Sequence, residues 1–262
     1  MDVLYLSPHL DDAALSCGGL IHQQARAGLS VGVLTVFAGS AQTDVRSPFA
    51  RALETRWGAQ GDAIAMRRQE DREALAVLGA EPIHWAYEDA IYRLHTRTGE
   101  PVYPNRDAIF GGVSRHDPVK ARALASEIRR FWRDAGRPKV YAMLAAGYHV
   151  DHQVVQAAVL RLVARDGLDV AWYEDYPYAE DQDAVRQAVA QSPLGALQPQ
   201  IVRLAEEDLA AKCDAIARYR SQIPIFWQDE ADMRRHVRDH ALRMGGGFPA
   251  EQYWVRASAG DS

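Results

Sequence analysis

The sequence predicts an α/β fold in which a mostly parallel β-sheet is flanked by helices. Short apolar, β-branched segments alternate along the chain with longer helical segments. The first unit runs from a strand at 2–7 through a helix near 17–28 to a strand at 30–37, a succession that favours parallel pairing and a right-handed crossover. Because no shift in composition marks a boundary, we expect one domain over residues 1–262.

The later elements follow from local patterns. Residues 63–78 fit a long amphipathic helix that ends at Gly79, a natural terminating residue. Residues 90–118 show no periodicity and exceed a usual connection, so they are a candidate lid or binding loop. The other predicted elements are a loop and short helix over 38–61, strands beginning near 82 and at 139–145 and 170–173, and helices at 121–133, 152–165, 206–220 and 229–243.

Composition limits the classes of partner. The net charge of -5 gives no electrostatic reason to expect nucleic acid or an anionic membrane surface. No stretch approaches the ~18 apolar residues of a membrane span, and no secretory signal pattern opens the chain, so we expect a cytoplasmic protein. Cys17 and Cys213 are too isolated to form a disulfide framework, and we expect buried thiols.

Potential metal ligands follow the first strand. The apolar run ends at Ser7, and Pro8, His9, Leu10, Asp11 and Asp12 come directly after it. The carboxyl ends of parallel strands are where α/β proteins place their active sites. His9 and Asp12 are three residues apart in a turn, so their side chains can converge on one point.

A second cluster, 149–152, begins the helix that follows the strand at 139–145. Its His152 would be a third ligand. Two histidines and one carboxylate with open positions suit a hydrolytic Zn²⁺, although Fe²⁺ uses the same set. Asp11 would then be free to act as a general base. As an imidazolium, His149 could stabilise an oxyanion or protonate a leaving amine, and Asp151 could orient a histidine.

Three motifs in order resemble a known family. Residues 7–19 are similar to the N-terminal signature of the LmbE-like, or PIG-L, family of zinc-dependent N-deacetylases, which usually reads Pro-His-Pro-Asp-Asp-Glu. Residues 149–152 resemble its second motif, usually His-Pro-Asp-His. Between them, residues 67–79 match the family's helical Arg/Glu pattern. The resemblance spans at least residues 2–160.

The resemblance implies a Rossmann-like α/β sandwich with a metal at the carboxyl ends of the strands. It assigns Asp11 as the general base that activates water. His149 would assist at the amide as electrophile or acid, with Asp151 as its supporting carboxylate. Arg67 would hold substrate hydroxyls or a phosphate-bearing aglycone. The implied zinc ligands are His9, Asp12 and His152.

The substrate implied is a small N-acetylated sugar conjugate, most often N-acetylglucosamine linked to inositol, malate, lipid or an antibiotic core. The segments 90–118 and 219–222 are candidates for selectivity, and the aglycone is left open. Leu10, Val150 and Ala13 replace the usual Pro, Pro and Glu of the motifs. The two proline positions only shape turns, so we expect metal ligation to survive.

The motifs disfavour one other class of protein and leave two further possibilities open. A nucleotide-binding oxidoreductase is disfavoured, because no Gly-x-Gly-x-x-Gly follows the first strand and acids occupy the position of a pyrophosphate. A non-catalytic metal- or sugar-binding protein on the same fold and a hydrolase of another amide stay open. So does homo-oligomerisation.

Overall fold

The computed structural model describes residues 1–257, and within them seven strands form one sheet. The strands are β1 Val3–Ser7, β2 Val31–Thr35, β3 Glu81–His84, β4 Lys139–Met143, β5 Val170–Tyr173, β6 Leu197–Arg203 and β7 Ala250–Arg256. Their order across the sheet is β3-β2-β1-β4-β5-β7-β6. The first five are parallel, whereas β7 is antiparallel to both β5 and β6. The predicted α/β class with a mostly parallel sheet is confirmed.

The helices mostly lie where the sequence predicts them. Helix 63–78 has the predicted bounds, and Gly79 follows it in the left-handed conformation. The helices are α1 Asp12–Arg26, α2 Pro48–Arg56, α3 Ala63–Leu78, α4 Arg106–Ile109, α5 Ala121–Asp134, α6 Val150–Asp166, α7 Gln182–Ala190, α8 Glu206–Ile216, α9 Ile223–Phe226 and α10 Glu230–Met244, with 3₁₀ turns at Ala90–Tyr92 and Tyr178–Glu180. The sequence did not predict α7, β6 or β7. The final residues of the predicted domain, 258–262, lie outside the described part of the chain.

Helix α1 begins at Asp12, earlier than the predicted start near residue 17. This helix contains Gly18 and Gly19, which other parts of the chain approach closely. A Cβ on Gly19 would lie 2.4 Å from the Leu204 side chain, and one on Gly18 would lie 3.0 Å from that of Lys212. Helix α1 therefore packs against α8 and against the residues that precede α8, and side chains larger than glycine would not fit at these two positions.

The topology determines where a site can form. From β1 the chain moves through β2 to β3 on one side of the sheet, and then returns to β4 and β5 on the other side of β1. With right-handed crossovers, these opposite directions place α1 and α3 on one face and α5 and α6 on the other. A crevice opens at the carboxyl ends of β1 and β4, where the strand order reverses. Both predicted clusters follow these two strands.

Two predictions from composition can be compared with the structure. Cys17 and Cys213 are both buried free thiols, as expected. Along residues 1–257, no helix combines the length and apolar character that a membrane crossing requires.

Candidate metal centre and active site

The turn after β1 is fixed by its own polar side chains. The Ser7 hydroxyl donates a hydrogen bond to the carbonyl of His9 at 2.7 Å and accepts one from the amide of Ala13 at 3.2 Å. The amide of His9 donates to Oδ2 of Asp12 at 2.8 Å. The side chains of His9 and Asp12 are thereby held on the same turn.

The start of α6 brings the second cluster to the first. His149 is the N-cap residue, and Asp151 and His152 lie buried in the first helical turn. Since β4 is paired with β1, this turn lies beside the His9 turn. Nε2 of His152 is 3.2 Å from Oδ2 of Asp12, and Nδ1 of His9 is 3.5 Å from the same oxygen. The three predicted metal ligands therefore lie together.

Each of these two histidines also faces a second carboxylate. Nε2 of His9 is 2.9 Å from Oδ2 of Asp151, and Nδ1 of His152 is 2.6 Å from Oδ1 of Asp175. One nitrogen of each ring is thus bonded to a buried acid, whereas the other faces Asp12. Metal-binding histidines characteristically donate their second nitrogen to a carboxylate, which fixes the tautomer and raises the basicity of the ligand. The donor set and its support both fit a divalent metal.

The role expected of Asp151 needs correction. The resemblance assigned it as the supporting carboxylate of His149, but its side chain contacts His9. The only link to His149 found among residues 1–257 is a backbone one, in which the Asp151 amide donates to Nδ1 of His149 at 3.2 Å. The first turn of a helix directs successive side chains about 100° apart, so Asp151 points away from the His149 ring towards β1.

Sequence reasoning missed Asp175. It lies two residues after the end of β5, within the acidic segment 174–178. The position of an acid just beyond the carboxyl end of the strand next to β4 was the available signal. Its other oxygen, Oδ2, accepts a hydrogen bond from the amide of Ala146 at 3.1 Å, which ties the β4 and β5 loops together.

A second group of possible ligands surrounds the other side of His9. Oδ2 of Asp89 is 3.7 Å from Nε2 of His9, near Asp151. However, the buried guanidinium of Arg93 is paired with Asp151 and Asp117. The Arg93 charge offsets part of the negative charge there, and Asp151 is committed to this pair, so the group is better suited to orienting His9 than to holding a cation.

Asp11 lies beside the three predicted metal ligands without joining them, and Nη2 of Arg67 lies 3.3 Å from Oδ2 of Asp11. Burial raises the pKa of Asp11 to about 7, against the opposing effect of Arg67 and with a further increase from Asp12. A carboxyl group that titrates near neutrality can both accept and return a proton at physiological pH. This is the property that the predicted general base requires.

The charge state of His149 differs from the prediction. Burial and the neighbouring His9 and His152 hold the pKa of His149 well below its usual value, so the ring is neutral. Because its Nδ1 accepts a hydrogen bond, the ring proton lies on Nε2. His149 can therefore donate a hydrogen bond, but the structure does not support the imidazolium acid considered from the sequence.

Asp12 and His152 form a buried ion pair. Burial opposes the charge on His152, but Asp12 and Asp175 outweigh it and raise the pKa of His152 to about 9. Burial raises the pKa of Asp12, but His152 and His9 together outweigh it and hold this pKa well below its usual value. A metal ion would take the place of the proton between these two groups.

Arg67 lies behind Asp11. It is 5% exposed, its guanidinium lies 4.8 Å from the centre of the Trp57 ring, and it borders the cavity that leads to the cluster. The structure shows that Arg67 positions Asp11; its predicted contact with substrate stays a prediction. The cavity has a volume of about 390 Å³ and reaches His9, Asp11, Asp12 and His149.

Comparisons with known proteins identify relatives of this chain. A family model described as PIG-L, GlcNAc-PI de-N-acetylase, matches residues 4–163. The chain is 35% identical over 187 residues to the 2'-N-acetylparomamine deacetylase of Streptomyces fradiae, an alignment that covers 70% of this chain and 59% of that protein. It is 27% identical over 276 aligned residues to the enzyme of the same name from Niallia circulans, with 97% and 90% covered.

A solved structure extends the likeness to the whole fold. The zinc-inhibited form of teicoplanin deacetylase is similar with a TM-score of 0.83 and 30% identity, over 100% of both chains. The named relatives are deacetylases, the class of amide hydrolase that the sequence predicts. The family predicted from three motifs is thereby confirmed, and this chain belongs to the PIG-L family of de-N-acetylases.

Proposed function

We propose that this protein is a metal-dependent N-deacetylase that hydrolyses the acetamide of a small acetylated sugar conjugate. The observation that carries the proposal is the arrangement around Asp12, which faces one ring nitrogen of His9 and one of His152 while Asp151 and Asp175 bond the other nitrogens. The relatives support the substrate class, since they are named for 2'-N-acetylparomamine and teicoplanin.

His9, Asp12 and His152 would hold the metal, which we propose to be Zn²⁺; their nitrogen and oxygen donors also suit Fe²⁺. When bound, the metal supplies Lewis acidity that polarises the amide carbonyl and lowers the pKa of a water molecule. A ring nitrogen of His149 lies within 4.8 Å of ring nitrogens of His9 and His152, but among residues 1–257 no carboxylate is hydrogen-bonded to the His149 ring. We therefore assign His149 to the substrate and not to the metal.

The remaining chemistry belongs to the side chains. Asp11 accepts a proton from the attacking water and then donates it to the amine nitrogen as the C–N bond breaks, leaving acetate and a free amine. Its pKa of about 7 suits both transfers. The Nε2–H of neutral His149 donates a hydrogen bond to the carbonyl oxygen as negative charge develops there. Asp151 takes no proton and acts by orienting His9.

Mass spectrometry of a panel of N-acetyl sugar conjugates incubated with zinc-loaded protein tests this function. The expected result is loss of the acetyl group, which stops when a chelator removes the metal. If no conjugate loses acetyl while the protein binds zinc, the chain is instead a metal- or sugar-binding protein without this activity. The cytoplasmic location, the small-molecule partner and any homo-oligomer stay predictions.

A further inference from the structure

The mouth of the active-site cavity is formed by three short helices, α2, α4 and α9. Each contributes two apolar side chains that face the cavity. We call this set the apolar rim: Phe49 and Leu53 from α2, Ile109 and Phe110 at α4, and Ile225 and Phe226 from α9. Five of these six side chains are half-buried, so part of each surface is left for a ligand.

Hydrogen bonds at the starts of the three helices hold the apolar rim in place. The Ser47 hydroxyl caps α2 by accepting from the amide of Ala50 at 3.0 Å, and Asn105 caps α4 at 2.9 Å. Helix α9 follows Ser221, whose amide and hydroxyl both donate to the buried carboxylate of Glu70, at 3.0 and 2.6 Å. These contacts also give a role to the predicted selectivity segments 90–118 and 219–222, which contribute α4 and Gln222 to the cavity wall.

The rim adjoins the reacting groups. The Phe110 ring meets the His149 ring edge to face with 5.3 Å between centres, and it contacts Tyr178 in the same way at 5.8 Å. A sugar whose acetamide lies beside Asp11 and His149 would therefore carry its aglycone outward between α2, α4 and α9. The group that follows the sugar meets hydrocarbon and aromatic surface.

The charges at the mouth are positive. Arg56 and Arg106 are exposed and border the same cavity. Arg56 donates to the carbonyl of Pro224 at 3.3 Å, and the Arg106 guanidinium lies 5.5 Å from the centre of the Phe110 ring. Neither forms a salt bridge with a carboxylate in the described part of the chain. The carboxylates that line this cavity, Asp11, Asp12 and Asp89, are buried beside His9 and Arg67. A polycationic substrate would therefore meet the two exposed arginines before it reached these acids.

We propose that the substrate of this protein is an N-acetylated sugar with an apolar aglycone that binds the apolar rim, and that polycationic aminosugars are disfavoured. The inference rests on the proposed deacetylase function and makes it more specific. It would set this chain apart from the two relatives named for 2'-N-acetylparomamine. The free amines of that compound are positively charged at neutral pH.

Acetate release from three substrates tests the proposal: 4-nitrophenyl N-acetyl-β-glucosaminide, free N-acetylglucosamine and 2'-N-acetylparomamine. Burying one face of a phenyl ring removes on the order of 60 Å² of apolar surface from water, which corresponds to about a tenfold preference. We expect kcat/KM for the aryl glycoside to exceed that for each of the other two by about this factor. Equal or higher kcat/KM for 2'-N-acetylparomamine overturns the inference and leaves the proposed function intact.

Matched variants test whether the apolar rim and the two arginines cause this substrate preference. Ile225→Gln should lower the ratio of kcat/KM for the aryl glycoside to that for free N-acetylglucosamine about threefold to tenfold, whereas Ile201→Gln, at an exposed site on β6, should leave this ratio unchanged. Arg56→Glu combined with Arg106→Glu should raise kcat/KM for 2'-N-acetylparomamine about tenfold, and Arg51→Glu on α2 should not. An equal loss for all substrates in Ile225→Gln would contradict a role in aglycone binding.

Calorimetry with the Asp11→Asn variant separates the two proposals. If no substrate releases acetate, the proposed function fails, yet the order of affinities for the same three compounds still decides the inference. Tighter binding of the aryl glycoside than of 2'-N-acetylparomamine supports it, and the reverse order refutes it.

Discussion

Asp175→Asn tests whether buried carboxylates prepare the histidines for a metal. In the native protein the two oxygens of Asp175 accept from two donors, Nδ1–H of His152 and the amide of Ala146. An asparagine has one oxygen and one NH₂ group, so in either orientation one of these donors faces another donor. The substitution also removes the negative charge that helps to raise the pKa of His152.

The expected cost is 10- to 100-fold in metal affinity, the usual effect of altering a residue that supports a metal-binding histidine. This corresponds to about 1.4 to 2.7 kcal/mol. Competition with a chromophoric chelator at pH 7 measures the affinity, and circular dichroism checks that the fold is retained. Asp169→Asn is the matched control, because the Asp169 side chain is 81% exposed and pairs with Lys139, away from the site. Zinc affinity within twofold of the native value in Asp175→Asn would refute the reasoning.

Three further predictions follow from the structure. Acetate release should rise with pH through an acidic limb at or below about pH 7, because protonated Asp11 cannot accept a proton; a rate–pH profile without this limb would contradict the assignment. Arg67→Met should move this acidic limb of the rate–pH profile to higher pH, since Arg67 lowers the pKa of Asp11. An unmoved limb would show that Arg67 does not influence the protonation of the catalytic base. Gly147→Ala should destabilise the metal-free protein by about 1 to 3 kcal/mol, because the new Cβ would lie 2.4 Å from the Tyr178 ring; Leu75→Ala, in the core, should cost about 2 to 5 kcal/mol, and urea unfolding measures both.

Most of the parallel half of the fold was predictable because its strands are buried and apolar on their own, whereas β3, at the edge of the sheet, is only partly buried. All five residues of β1 and of β2 are buried, and helix α3 carries its end signal at Gly79. Strand β6 lacks such a pattern: it lies at the edge of the sheet, is mostly exposed and contains Pro199. It is defined by antiparallel pairing with β7, which no local pattern reveals.

The features of the candidate site also differ in whether the sequence predicts them. His9, Asp12 and His152 were predictable because residue type, spacing and strand ends point to the same place. The partner of Asp151 and the role of Asp175 were not, since both depend on which side chains meet across β1, β4 and β5. The neutrality of His149 likewise arises from burial and from the neighbouring rings of His9 and His152, and the sequence alone reveals neither.

The division of labour between Asp11 and Asp12 is the central claim, and one paired measurement tests it most directly. Zinc content and acetate release are measured for the native protein, Asp11→Asn and Asp12→Asn. We predict that Asp11→Asn keeps one zinc per chain and loses about 10²- to 10⁴-fold in kcat, the range for removal of a general base, whereas Asp12→Asn loses zinc. Unchanged turnover in zinc-loaded Asp11→Asn, or full zinc occupancy in Asp12→Asn, would contradict the account.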